Sequence, residues 1–210
     1  MAPEPRFVCR FAAEPPQEGL PYGRWSERLQ ETFLAAVLEL RSSEDAQDLG
    51  DPGEVVFYPD RTWNGRTYQP VTCGTTTGLE LFGLVSWIPA WEEGDEPSDL
   101  RATADWTAET ADANPEWTID LCDEVIGGWR GENGNVAAIT VVWGTPMRDG
   151  GHVVTAELAD LAVDQCLLVE RRFTLVAPDD YRGDTLDVKV FDQRNNQIAV
   201  ESLYSDDDED

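Results

Sequence analysis

Histidine and lysine are almost missing from this chain: its 210 residues carry one of each, His152 and Lys189. A zinc site built on two or three imidazoles is therefore excluded within a single chain. Nucleophilic catalysis of the Ser–His or Cys–His kind would have to use His152 or dispense with histidine. No G-x-S-x-G occurs, and His152 follows Asp149-Gly150-Gly151 just ahead of an apolar run, so it reads as a turn residue at a strand entrance. The four cysteines, Cys9, Cys73, Cys122 and Cys166, are widely spaced and form no C-x-x-C pair. Zinc-finger and thioredoxin-like motifs are unsupported, and small buried thiols fit better. No stretch approaches the roughly 18 apolar residues of a membrane-spanning helix. Residues 1–10 hold neither a basic n-region nor an apolar h-region, so a cytoplasmic or virion location without a signal peptide is expected.

Against 15 Lys+Arg stand 42 Asp+Glu, a formal net charge of −27. Binding to nucleic-acid backbones or anionic lipid needs a basic patch, and none is readable. An acid-rich, lysine-poor surface suits concentrated salt, where the Debye length falls to about 3 Å at 1 M and neighbouring carboxylates hardly repel. A GC-rich genome would explain arginine in place of lysine but not the excess of acids. An acidic nucleic-acid mimic is a third reading of the charge. It needs carboxylates along one face, whereas here they are spread over the chain and concentrated only near Glu92-Glu93-Gly94-Asp95-Glu96 and in residues 206–210. That tail reads as a solvated end.

Apolar material is plentiful, with 41% hydrophobic residues and eight tryptophans, so a packed core is expected. Residues 6–11 alternate as a short strand. A helix is predicted over residues 26–41, where Trp25, Leu29, Phe33, Val37 and Leu40 recur at helical spacing and Leu34, Ala35 and Ala36 widen the stripe. Ser26 is its expected cap, with Glu27 in the first turn and Arg41 in the last. Residues 42–54 read as a loop and 55–58 as a strand. Asn64-Gly65, flanked by Trp63 and Tyr68, predicts a hairpin with a type I′ turn. The pattern Thr77-Gly78-Leu79-Glu80 matches a capping box before Leu81, Leu84, Val85 and Ile88, which predicts a helix over 77–88; a buried strand competes because of Gly83 and Val85.

Beyond the acidic break at 92–99 the period changes to two. Leu100, Ala102, Ala104, Trp106 and Ala108 alternate with polar residues as one half-buried strand, and Trp117, Ile119 and Leu121 continue that period. A loop over 127–134 leads to a strand over 136–143. Residues 157–172 fit either a helix or the second part of a strand pair, 153–158 and 166–169. Strands over 173–177, 185–191 and 198–204 follow, separated by turns at 178–184 and 193–197. The expected fold class is α+β and β-rich: an N-terminal helix packed on a small sheet (residues 1–94) and an antiparallel β-sandwich-like part (95–205), followed by an acidic disordered tail (206–210). One continuous domain is the alternative to this division.

No residue qualifies as a catalytic, cofactor-binding or metal-binding candidate. Gly74-Thr75-Thr76-Thr77-Gly78 lacks the lysine of a phosphate loop, Gly128, Gly131 and Gly134 do not spell G-x-G-x-x-G, and Arg182-Gly183-Asp184 has the composition of a turn. No cofactor is implied. The favoured expectation is a non-catalytic subunit of a homo- or hetero-oligomeric assembly, such as a head–tail or tail component of a virion, in a salt-adapted organism or its virus. Its partners would be protein subunits. The alternative is a carbohydrate-binding module or a carboxylate-based glycoside hydrolase, which needs a close pair of acids or exposed tryptophans. Trp25, Trp106, Trp117 and Trp143 are in phase with apolar faces, whereas Trp63, Trp91 and Trp129 are expected to be exposed.

Overall fold

The computed structural model describes residues 19–42, 48–90, 96–130, 136–179 and 185–203. The strand expected over 6–11, Cys9, Trp91, Arg182-Gly183-Asp184 and the acidic tail lie outside them. Among the described residues one helix, α1 (Gly23–Arg41), precedes thirteen strands. Sheet A joins β1 (Pro52–Phe57), β2 (Arg61–Trp63), β3 (Arg66–Thr75), β4 (Glu80–Ile88), β5 (Ser98–Ala102) and β6 (Asp105–Thr107). Sheet B runs β11 (Phe173–Asp179), β8 (Val136–Pro146), β7 (Ile119–Arg130). Sheet C runs β10 (Leu161–Leu167), β9 (Val153–Leu158), β12 (Leu186–Phe191), β13 (Gln197–Ser202). The protein is therefore α+β and β-rich, as the residue pattern implies.

Three hydrophobic clusters define the layers. Leu29, Phe33 and Val37 of α1 meet Val71, Leu81 and Trp87 on one face of sheet A. The other face of sheet A supplies Tyr68, Phe82 and Leu84, which pack on Ile139, Val141 and Trp143 of sheet B. The opposite face of sheet B presents Val142, Phe173 and Leu175 to Ala156, Val188 and Val190 of sheet C. The order is helix, sheet A, sheet B, sheet C. Every residue of β11 is buried as a result, because apolar layers cover both of its faces.

The helix starts three residues earlier than predicted. Tyr22 holds the N-cap position without a side-chain cap, Ser26 Oγ donates to the Gly23 carbonyl inside the helix, and no acid lies in the first turn. Arg41 does close the last turn. Ala35 is exposed, so the buried stripe is narrower than the sequence pattern. The hairpin forms as predicted: Asn64 and Gly65 take φ values of 51° and 77°, and Trp63 pairs with Arg66.

Residues 80–88 are a strand, not a capped helix. Thr77 Oγ1 donates to the Leu49 carbonyl, Gly78 takes a φ of 81°, and β4 pairs with β3 along its length. The apolar residues that mimic helical spacing divide between the two covered faces of a central strand, so tertiary pairing overrides the local cap signal. The single strand predicted over 100–108 breaks into β5 and β6. Thr103 turns out of register there, donating its N–H to the Leu84 carbonyl while its Oγ1 accepts from the Leu84 N–H. Both short strands extend sheet A. Gly127 and Gly128 belong to β7 rather than a loop, and Pro178 and Asp179 to β11 rather than a turn. Residues 157–172 form no helix: β9 and β10 pair through a turn at Ala159 and Asp160, both at positive φ.

Candidate functional site

Four acids, Glu80, Glu109, Asp120 and Asp123, line one cleft in the described structure. Glu80 begins β4 and pairs with Gly74 and Thr107 in sheet A, while Asp120 lies near the start of β7 and pairs with Thr145 in sheet B. Alternation along each strand turns Glu80 and Phe82 toward sheet B, and Asp120 and Cys122 toward sheet A. A cleft of about 170 Å³ lies between them, with Trp117, Glu109 and Asp123 also in its wall. Beneath it, Phe82 packs on Trp143 with ring centroids 6.4 Å apart.

Burial governs the protonation of this cleft. It pushes the Glu80 carboxyl up to about 7, with the charge of Asp120 adding to the effect. Asp120 is raised by burial and then by Asp112, and Asp123 by burial and then by Asp179. The Cys122 thiol is pushed up for the same reason, with Glu80 and Asp120 contributing, so it stays protonated and unreactive. Among the described residues no arginine or lysine pairs with Glu80 or Asp120. A carboxyl that titrates near neutrality beside a second acid and an indole can exchange a proton with a bound hydroxylic ligand. No cluster of three or more His, Cys, Asp or Glu side chains among the described residues is arranged to hold a metal ion.

His152 sits where the sequence places it, exposed at the entrance of β9, with its N–H donated to the Phe191 carbonyl and its carbonyl accepting from Leu168. In the segment 74–78, Gly74 and Thr75 end β3 and residues 76–78 turn into β4. Cys73 and Cys166 are buried free thiols and Cys122 is a half-buried one. Trp143 is buried, and Trp25, Trp106 and Trp117 are half-buried. Trp63 and Trp129, expected to be exposed, are half-buried instead: Trp63 covers Gly127 across the sheet A–sheet B interface, and Trp129 packs on both neighbouring cores. Sequence reasoning missed the Glu80–Asp120 pairing because forty residues and two sheets separate its members.

No helix among the described residues is long and apolar enough to cross a membrane. The chain matches no known family model, no curated protein and no solved structure.

Proposed function

We propose that the protein is a non-catalytic subunit of a larger protein assembly that works in concentrated salt. One observation carries this reading. Among the described residues the twelve-residue strand β7 is an outermost strand of sheet B; it bears Val125, 56% exposed and opposite Thr140, while Val136 of β8, 58% exposed, lies further along the ladder opposite Arg130. A strand with no further strand on its outer side among the described residues, and with an exposed valine on it, offers backbone and apolar contact to an added strand. A bulge near Val125 and the acids Asp123 and Glu124 guard that edge at low ionic strength. Molar salt shortens the repulsion of those acids to about 3 Å and releases the edge for pairing. Association should therefore strengthen as salt rises, opposite to a complex held by ion pairs. Light scattering coupled to size exclusion, from low to molar KCl, tests this. Self-association or partner capture that grows with KCl and is reduced in Val125→Lys supports the reading; a monomer without partners at every salt concentration refutes it. A virion head–tail or tail component is one assembly of this kind.

The second reading, a carbohydrate-directed protein, is favoured by the presence of Trp117, Glu80 and Asp120 in a single cleft. Indole faces stack on sugar rings, and a carboxyl near pH 7 is suited to protonating a glycosidic oxygen. Screening oligosaccharides by binding and by reducing-end release separates the two readings. A ligand lost in both Glu80→Gln and Asp120→Asn would establish the sugar site, and no binding to any oligosaccharide would dismiss it.

A further inference from the structure

A second cavity, of about 370 Å³, lies beneath the start of α1, away from the acid cleft. Its wall combines Leu20, Tyr22 and Trp25 from the helix side with Asp60, Gln69 and Trp87 from sheet A and its β1–β2 connection. Trp25 and Trp87 meet edge to face, with centroids 5.0 Å apart and planes at 86°. The Arg28 guanidinium stands 5.9 Å from the Trp25 ring centroid, with its charge paired to Glu96. Gln69 is committed, its amide donating to the Tyr58 carbonyl. Asp60 is the acid facing the cavity, and its neighbour Arg61 is engaged by Asp164.

We infer that this cavity binds a quaternary ammonium group, seated against the walls formed by Trp25 and Trp87 with Asp60 as its counter-ion. The chemistry of the wall selects that class. A bare alkali or alkaline-earth ion needs a shell of oxygen ligands, about six to eight for calcium, and the wall is mostly carbon. A primary ammonium brings three donors that must all be satisfied, and a single carboxylate leaves at least one of them unmet. A quaternary ammonium has no donors, presents methyl groups to the indoles and is drawn to their faces. Burial lifts the Asp60 carboxyl to about 6, while its own backbone N–H and Arg61 restrain the rise, so it is ionised at neutral pH and gains from a cation.

The test uses the full chain in molar KCl, where diffuse attraction to a −27 surface is screened. Choline is titrated while the indole N–H resonances are followed by NMR, with 3,3-dimethylbutan-1-ol as the uncharged molecule of the same shape. The expected result is a saturable shift with choline, at least tenfold weaker with the alcohol and at least tenfold weaker in Asp60→Asn. Absence of saturation, equal affinity for the alcohol, or unchanged affinity in Asp60→Asn overturns the inference. Should Asp60→Asn fail to fold, the choline–alcohol comparison on the unaltered chain decides alone.

Discussion

Nη2 of Arg61 lies 2.8 and 2.7 Å from the two carboxylate oxygens of Asp164, a residue 103 positions further along the chain. Arg61 is fully buried on β2 of sheet A, and Asp164 sits on β10 of sheet C. The same carboxylate accepts the backbone N–H of Val176 at 2.8 Å, on the edge of β11 that β8 leaves unpaired. One side chain thus joins all three sheets and covers an edge of the middle one. Burial still raises the Asp164 carboxyl, although Arg61 and the Val176 N–H pull it back, so desolvation is not fully recovered. The pair acts as an alignment device more than as a source of net stability.

Removing one partner exposes that cost. Arg61→Met leaves a buried carboxylate without its cation and is expected to lose about 3–5 kcal/mol. The double variant Arg61→Met/Asp164→Leu should lose clearly less than the sum of its two single changes, the remainder being the orphaned Val176 N–H at about 1–3 kcal/mol. Urea unfolding in molar KCl measures both. Simple additivity would show that the two groups do not interact.

Gly83 is needed for a steric reason. A Cβ there would overlap the Thr103 carbonyl oxygen, which is backbone and cannot swing away. Gly83→Ala should therefore cost about 1–3 kcal/mol and loosen β5 and β6 from β4, with protection of the Thr103 amide from hydrogen exchange lost first. Gly65→Ala offers a contrast, since it meets no neighbour and is strained only through its φ of 77°.

Stability should fall as pH rises from about 4.5 to neutrality. The Glu80 carboxyl goes from 4.5 in an unfolded chain to about 7 in the fold. Between those values the native state keeps a proton that the unfolded state has lost, so the stabilisation is complete below pH 4.5 and gone above pH 7. Its size is about 1–3 kcal/mol after allowance for the solvent-accessible part of the group. Asp60 and Asp120, both raised by burial, act in the same direction. Melting in molar KCl from pH 5 to 8 should show this decline, and Glu80→Gln should flatten it; an unaltered slope in that variant would place the titration elsewhere.

Salt itself should stabilise. With a net charge of −27, melting temperature is expected to climb from low to molar KCl as the acids are screened. Equal melting temperatures would remove the salt-adapted reading.

Asn64-Gly65 specified its hairpin in the sequence alone, because a type I′ turn depends on two adjacent residues and little else. The strand pair 153–158 and 161–167 stayed ambiguous, since Leu158, Leu161 and Ala162 suit either period until β12 pairs with β9. The segment 80–88 failed more instructively. Its apolar residues are too dense for a one-sided strand because α1 and sheet B cover both faces, and a two-sided strand has no period to distinguish it from a helix.

Local chemistry therefore decided the helix, the tight turn, the alternation of the exposed strands and the acidic surface, each of which needs only near neighbours in the chain. The tertiary structure alone decided the stacking of three sheets, the burial of Arg61 against Asp164, and the meetings of Glu80 with Asp120 and of Trp25 with Asp60. Such contacts arise from faces that fold onto one another after the strands pair, and no spacing along the sequence encodes which faces will meet.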